Sequence, residues 1–351
     1  MDNTVCKRIG AAFGLNLEAE TYGNGHINDT YATHTEPRYI IQRINHHVFT
    51  DPVGVMDNFE AVTEHLRRKI AEQGGDPDRE TLHLLHTSDG RNHVCVDGNY
   101  YRIYQMVEHT FCYDQAETAE QLQEAGRAFG HFQVMLQDFP AQKLKETIPH
   151  FHDTPDRYRK FEAAVQADAV GKAASCAAEI AFVRARAGEL ARVTDAMQAG
   201  TVPLRVTHND TKINNILFDD RTGRALCVID LDTVMPGSLL YDFGDAIRAG
   251  ATTGAEDEQD LSKVHFSLPF YRAFREGFLS ELGDTMTPTE RELLPFSAKL
   301  MTLECGIRFL TDHLMGDTYF RIHRENHNLD RARTQFKLVA DMENAMAEMA
   351  E

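Results

Sequence analysis

Apolar positions recur along this chain with two periods, and the place where one gives way to the other divides it. Val5, Ile9, Ala12 and Phe13 fall at helical spacing and stop at Gly14, which predicts a short helix over residues 3–15. From Thr21 the character changes. YGNGHIN leads into DTYATHT, a turn at Glu36-Pro37 and then RYIIQRIN, a pattern that predicts strand, turn and strand. Val55, Phe59, Val62, Leu66 and Ile70 line one face of an amphipathic helix predicted over 54–73 and stopped by Gly74-Gly75. HVCVD and YYRIYQMV flank Asp97-Gly98, a pair suited to the tight turn of a hairpin. Residues 1–107 thus read as a sheet with one inserted helix.

Beyond Glu108 the period is mainly helical, with helices predicted at 117–138, 156–168, 178–198, 257–283, 288–315 and 330–350. The exception runs from Leu204 to Arg248, which is rich in strands, turns and polar residues. There is no internal repeat and no low-complexity linker. The break near residue 108 therefore reads as a hinge between two packed lobes, 1–107 and 108–351, and the predicted fold class is α+β: a small antiparallel sheet lobe with one helix and a large, mainly helical lobe.

Charge and composition narrow the chemistry. The 351 residues carry 36 Lys+Arg against 54 Asp+Glu, a formal net charge of −18, which argues against a nucleic-acid partner. Hydrophobic residues at 42% and charged residues at 26% are ordinary for a folded globular chain. Cys6, Cys95, Cys112, Cys176, Cys227 and Cys305 show no CxxC or Cys/His spacing and so indicate neither a zinc site nor a disulfide framework. No apolar run suggests a signal peptide or membrane span, so a cytoplasmic protein is expected. An acidic surface repels anions at long range, so any phosphate site needs local cations or a metal.

The densest chemistry lies in the central stretch. Ile216 to Phe218 and Ala225 to Ile229 are strand-like and the residues between them are turn-forming, so the strands fold back about residues 222 and 223 and bring Asn215 roughly opposite Asp230. Asp210 lies one short loop earlier. Two carboxylates and a carboxamide at one end of a hairpin suit Mg²⁺, which takes one or two carboxylates and completes its shell with water and phosphate. In an arbitrary hairpin these residues would be turn formers and a strand terminator. Here His208, Asp210 and Asn215 have the spacing His-x-Asp-x-x-x-x-Asn, that of a phosphoryl-transfer catalytic loop, in which the Asp accepts a hydroxyl proton and the Asn holds metal. Asp232, two positions along a strand from Asp230, would share its face as a second ligand or a contact to metal-bound water. The string Asp242-Phe243-Gly244 imitates a kinase metal motif but follows the hairpin by a further loop, so Asp242 is expected to support or cap. Gly23-Asn24-Gly25-His26 is a weak signal alone, and beside the catalytic loop becomes a candidate phosphate cover.

With these residues in place, the chain resembles the aminoglycoside phosphotransferase and choline kinase group of small-molecule kinases, and within it the sugar 1-kinases acting on N-acetylhexosamines. The likeness rests on YGNGHINDTY, PRYIIQRIN, YRIYQMVEHT, HFHDTP, PLRVTHNDTKINNIL, IDLDTVMPGSLLYDFGDAIR, EDEQDLSKVHF, LLPFSAKLMTLECGIRFLTDHL and GDTYF, in that order across nearly the whole chain. It implies a two-lobed protein-kinase-like fold and ATP-dependent phosphorylation of the C1 hydroxyl of N-acetylglucosamine or N-acetylgalactosamine. Asp210 would be the base, Asn215 and Asp230 the Mg²⁺ ligands, and His26, Asp210, Arg308 and Tyr319 the sugar contacts. Gly23 and Gly25 would cover the phosphates. Adenine would lie against Met106 to His109, with Met106 and Glu108 as backbone contacts. Where many such kinases place a phosphate-binding Lys, this chain has Gln42 and Arg43. Arg43 is expected to supply the charge, with Glu60 or Glu64 as partner, although only one of the two adjacent side chains can face ATP. HFHDTP is expected to line the sugar pocket or to cap the following helix. Another small-molecule kinase, acting on an aminoglycoside, an amino alcohol or a different sugar, is the alternative, with a nucleotide-binding pseudokinase further off.

Overall fold

Alternation along the first strands decides which residues meet which helix. The structure, a computed structural model, describes residues 1–23 and 27–351; Gly25 and His26 lie outside the described residues. Helix α1 (Asn3–Ala12) precedes β1 (Ala19–Thr21), β2 (Asp29–Thr33) and β3 (Tyr39–Ile44), and α2 (Pro52–Glu72) precedes β4 (Val94–Val96) and β5 (Asn99–Gln105). The strands form one sheet in the order β1-β2-β3-β5-β4, antiparallel throughout, with Gln42 opposite Arg102 and Arg43 opposite Tyr101. Asp97 and Gly98 both adopt positive φ and close the β4–β5 hairpin as predicted. Ile41, Tyr101 and Ile103 face α1, where they join Ile9, Phe13 and Leu17 in one apolar cluster. The opposite face meets α2.

That helix belongs to both lobes. Phe59, Val62, Leu66 and Ile70 pack with Leu82, Leu84 and Val107, and also with Phe132, Met135, Val206, Leu231 and Val234 of the second lobe. Asn58 adds hydrogen bonds from its Nδ2 to the carbonyls of Lys145 (2.8 Å) and Val234 (3.0 Å).

After the short β6 (Thr110–Phe111) come α3 (Ala119–Met135), α4 (Thr154–Ala167), α5 (Ala177–Arg184) and α6 (Arg192–Gln198). The strand-rich centre holds β7 (Arg205–Thr207), β8 (Ile216–Asp219), β9 (Ala225–Val228) and β10 (Met235–Gly237); β7 pairs with β10, and β6, β8 and β9 form a second small sheet. Helices α7 (Leu239–Gly250), α8 (Leu268–Leu282), α9 (Pro288–Leu314), α10 (His327–Asn344) and α11 (Met346–Ala350) complete the lobe around its main apolar core. No described helix is long and apolar enough to cross a membrane.

Three predicted helices come out differently. The span 178–198 is broken by a 3₁₀ turn at Ala187–Glu189, which contains Gly188. Residues 257–267 are mostly irregular, because α8 starts only where the Ser267 hydroxyl caps it and Pro269 enters its first turn. The last helix starts earlier, at His327, and breaks at Ala345.

Helices α3 and α8 cross through glycines. A Cβ on Gly277 would stand 2.0 Å from the carbonyl oxygen of Gln123, and one on Gly126 would stand 2.2 Å from that of Phe274. The seam matters for the site because α3 carries Phe129, Phe132 and Gln133, which hold the catalytic loop. Alanine normally improves a helix interior over glycine by about 1 kcal/mol, so the sign of Gly277→Ala is diagnostic. It should lower stability by about 1–3 kcal/mol, as overpacking does, in thermal or urea melts, whereas Gly188→Ala, which meets nothing within 4 Å, should leave the melt unchanged.

Candidate active site

The loop that follows β7 hangs from the first turns of α7. Asp242, 1% exposed, accepts hydrogen bonds from the backbone N–H of His208 (2.9 Å) and Asn209 (2.8 Å) and from Gln133 Nε2 (2.6 Å). Burial pushes its carboxyl up, against the pull of His208 and these donors. Asp245 accepts from Thr211 N–H at 3.0 Å and pairs with Arg248 at 2.8 Å, while the Thr211 hydroxyl donates to the Asp242 carbonyl. His208 is fully buried between the edges of Phe129 and Phe132, with Nε2 2.9 Å from the carbonyl of Ile229. Asn209 takes a left-handed backbone, φ 66°, fixed by its side chain on the carbonyl of Thr233. Asp242 therefore supports the loop, the role the sequence assigns it.

Asp210 projects from this frame. Its carboxylate lies 2.9 Å from Lys212 Nζ and accepts from Asn215 Nδ2 at 3.0 Å. Burial alone would raise its pKa. The adjacent ammonium of Lys212 and the charges of His208 and Arg248 outweigh that and hold it at about 2. Lys212 was not singled out from the sequence, yet its place two residues after Asp210, in Asp-x-Lys, was a readable signal.

The hairpin pairs Ile216 with Val228, and Ile229 donates to the carbonyl of Asn215 at 2.9 Å. Asn215 thus faces Ile229, one residue short of the expected partner, because a register shift at Leu217/Phe218 moves the fold-back. Asp230 is next in line, with a left-handed backbone, φ 59° and ψ 57°. The Nδ2 of Asn215 is committed to the carbonyl and carboxylate of Asp210, and its Oδ1 accepts no hydrogen bond among the described residues. Asp230 opens to solvent, but the protein packed around it and the charges of Asp232 and Asp210 push its pKa up to about 7. A spare carboxamide oxygen beside a carboxylate crowded by like charge is a donor set that fits a hard divalent cation.

Asp232 does not continue the strand. The turn at Asp230 leads into a 3₁₀ segment, Leu231–Thr233, which buries Asp232 against Arg102, with Nη1 2.6 Å from Oδ1 and side chains 1% and 3% exposed. Arg102 also donates to Gln42 Oε1 from Nε (3.0 Å) and Nη2 (2.6 Å) and lies 4.2 Å from the Phe59 ring centre. Asn28, just after the Gly-rich turn, donates to Asp232 as well. Asn28 is therefore anchored two residues from Asp230; Gly23 has φ +72°, with nothing among the described residues within 4 Å of a Cβ placed on it.

The expectation for Arg43 is corrected. It shares a face with Ile41, pairs with Asp29 and bonds Asn99 at 3.1 Å, so neither Glu60 nor Glu64 is its partner. Gln42 faces inward, and the cation it meets comes from the neighbouring strand. At the hinge, Met106 N–H donates to Arg38 O (2.9 Å) and Glu108 O accepts from Arg79 (3.3 Å). The carbonyl of Met106 and the N–H of Glu108 take no hydrogen bond among the described residues.

On the other side, Arg308 borders the buried stripe of α9, with its guanidinium 5.2 Å from the Phe151 ring centre and 5.5 Å from that of Phe320. Among the described residues it has no carboxylate ion pair. Beside it Arg157 donates to the carbonyl of Phe151 at 2.8 Å, and burial together with the charge of Arg308 lowers its pKa. Tyr319 is 64% exposed and packs edge-on against Phe320; Asp312 orders this loop by accepting from the N–H groups of Thr318, Tyr319 and Phe320. Arg308 and Tyr319 thus meet through Phe320. Arg248, paired with Asp245 below the loop, is the charge that acts both on Asp210 and on Cys305, one turn before Arg308 on α9. In HFHDTP, Asp153 caps α4 and His152 Nδ1 lies 2.8 Å from Glu304 of α9.

Comparison with known proteins gives this arrangement a family. Residues 18–278, more than half of the chain, match the model of the phosphotransferase enzyme family APH. Among solved structures, a microcompartment-associated aminopropanol kinase is similar at TM-score 0.63 and 20% identity, over 95% of this chain and 94% of its own. An aminoglycoside phosphotransferase from Alicyclobacillus acidocaldarius has TM-score 0.65 and 12% identity over 98% and 96%. A choline kinase from Cryptosporidium parvum has 0.56 and 12% over 95% and 90%. At such identities the structures speak to the fold, and the family match carries the assignment: the chain belongs to the APH phosphotransferase enzyme family.

Proposed function

We propose that this phosphotransferase transfers the γ-phosphoryl group of ATP to the C1 hydroxyl of an N-acetylhexosamine, releasing ADP and the sugar 1-phosphate. Asp210 is the base. A carboxylate held at about pKa 2 is a weak proton acceptor in the ground state, which suits a loose transition state where the proton moves late and the anomeric hydroxyl is relatively acidic. In balance, the C1 oxygen bonds the γ-phosphorus, the bond from that phosphorus to the β–γ bridging oxygen breaks, and the hydroxyl proton goes to Asp210. Asn215 and Asp230 would hold Mg²⁺, which supplies charge neutralisation on the phosphates. Lys212 stands beside Asp210 as a further cation for the γ-phosphate, and Gly23 begins the turn over it. The free carbonyl of Met106 and N–H of Glu108 match the amine and ring nitrogen of adenine.

The observation that carries the acceptor assignment is the charge around Arg308. Two guanidiniums, Arg157 and Arg308, stand with an exposed Tyr319, and the neighbouring carboxylates are engaged, Glu304 by His152 and Thr154 and Asp312 by the N–H groups of Thr318, Tyr319 and Phe320. A polycationic aminoglycoside needs uncompensated carboxylates, and a quaternary amine needs free aromatic faces, whereas here the Phe151 and Phe320 rings already carry the Arg308 guanidinium. The acidic run Glu256-Asp257-Glu258, which the sequence offers to such a substrate, is mostly engaged: Glu256 with Arg248 (3.1 Å), Asp257 with His327 (2.9 Å) and Arg324 (3.7 Å), while Glu258, among the described residues, accepts only from the N–H of Asp260 (2.9 Å). Donors and an aromatic face suit a neutral polyol bearing an amide carbonyl. His26 belongs to this reading as a sugar contact and lies outside the described residues.

Coupled ADP release with ATP and Mg²⁺, measured across N-acetylglucosamine, N-acetylgalactosamine, glucose, an aminoglycoside and choline, should show turnover confined to the N-acetylhexosamines; turnover only with an amine would refute the acceptor assignment. Asp210→Asn should cut the rate by about 10²–10⁴ while fluorescent-nucleotide titration finds ATP binding intact. Arg308→Ala should raise KM for the sugar by about 10- to 100-fold, the loss of a charged hydrogen bond, with KM for ATP unmoved. Lys212→Met removes the charge that depresses Asp210, so its pKa rises. The acidic limb of the kcat/KM profile should then move to higher pH, and a limb that stays in place would contradict the coupling.

A further inference from the structure

Outside the cleft, α2 and the segment leading to β4 bring together a set of side chains that the phosphoryl-transfer chemistry does not use. Glu60 and Glu64 are one turn apart on α2, and His86 approaches them from across the chain. One ligand atom from each lies within 4.8 Å of the others. His86 Nε2 already meets Glu60 Oε1 in a short hydrogen bond. From these observations we propose that Glu60, Glu64 and His86 form a second metal site, selective for Zn²⁺ over Mg²⁺ and distinct from the one at Asn215 and Asp230.

The donor chemistry sets the metal. An imidazole nitrogen with two carboxylate oxygens is a borderline set that zinc takes readily, whereas Mg²⁺ prefers oxygen alone. Three protein ligands leave a fourth position for water. Tetrahedral zinc with bonds of about 2.0–2.2 Å puts its ligand atoms roughly 3.3–3.5 Å apart, so the present spacing closes by small rotations of partly exposed side chains. Glu60 is oriented from behind: Asn92, 7% exposed, donates to its other oxygen at 2.7 Å and to Asp57 at 3.1 Å, as outer-shell partners do in metal sites. Asp57 has Lys145 at 2.7 Å, but among the described residues neither Glu60 nor Glu64 has a Lys or Arg partner. A bound cation would offset that charge. Because Asn58, two residues before Glu60, bonds the Val234 carbonyl of the second lobe, an occupied site would also steady that contact between the lobes.

The test uses the full chain stripped with a chelator and titrated with ZnCl₂ by calorimetry, with CoCl₂ as a visible-absorption probe. Wild type should bind Zn²⁺ with a rise in Tm and show the intense visible bands of tetrahedral Co²⁺, and Mg²⁺ should not compete. His86→Asn and Glu64→Gln, both at exposed positions, should each weaken Zn²⁺ by at least about 10- to 100-fold with unchanged circular dichroism and metal-free Tm, while Asp230→Asn leaves the affinity as it was. Equal Zn²⁺ affinity in wild type and the His86→Asn/Glu64→Gln double variant would overturn the site, and so would loss of binding in Asp230→Asn alone.

Discussion

The buried ion pair between Arg102 and Asp232 joins the sheet to the catalytic lobe. Arg102 comes from β5, Asp232 from the turn after the hairpin, and both are almost without solvent. Their charges are held by Gln42, Asn28 and the face of Phe59, so that one contact gathers β3, the residue before β2, α2 and the hairpin that carries Asn215 and Asp230. Such a pair is not a large net source of stability, because desolvation offsets its attraction. Breaking it by removing one partner nevertheless costs about 3–5 kcal/mol. It therefore fixes how the lobes meet, and with that where Asp230, two residues before Asp232, lies against the sheet.

A second set of carboxylates does the equivalent work inside the larger lobe. Asp242 and Asp245 satisfy the backbone of the catalytic loop, which leaves sheet geometry at β7 and would otherwise bury unpaired N–H groups. Helix α7, which carries them, packs so closely on α9 that a Cβ on Gly244 would stand 2.4 Å from Met301. The helix that positions Asp210 thus rests on the helix that presents Arg308. On the proposed reading, base and acceptor side share that support, as a reaction dependent on positioning requires.

The distribution of charge reconciles an acidic chain with an anionic substrate. The net charge is −18, yet around Asp210 the charged neighbours are Lys212 and Arg248, and around Tyr319 they are Arg308 and Arg157. At these distances local cations outweigh a diffuse field that salt screens within about 8 Å.

Much of this was legible in the sequence, where the information is local. The change of period separates sheet from helices. Fold-back arithmetic brings Asn215 beside Asp230 to within one residue, and the spacing of His208, Asp210 and Asn215 puts them in one loop, where Asn215 bonds the Asp210 carboxylate. Asp242 could be set aside as a metal ligand simply by counting past the hairpin. What the sequence left open were pairings between residues far apart in the chain. Alternation says that only one of Gln42 and Arg43 points inward, but not which, nor that the neighbouring strand supplies the cation in Arg102. Asp232 looked like a second ligand because strand geometry was extended past Asp230, where a left-handed residue ends it. The run Glu256-Asp257-Glu258 could have served an amine, but packing gives Glu256 to Arg248 and Asp257 to His327 and Arg324. Spacing along a chain fixes local geometry through the backbone, whereas a charge takes its role from whichever distant group folding buries against it, and only the tertiary structure decides that.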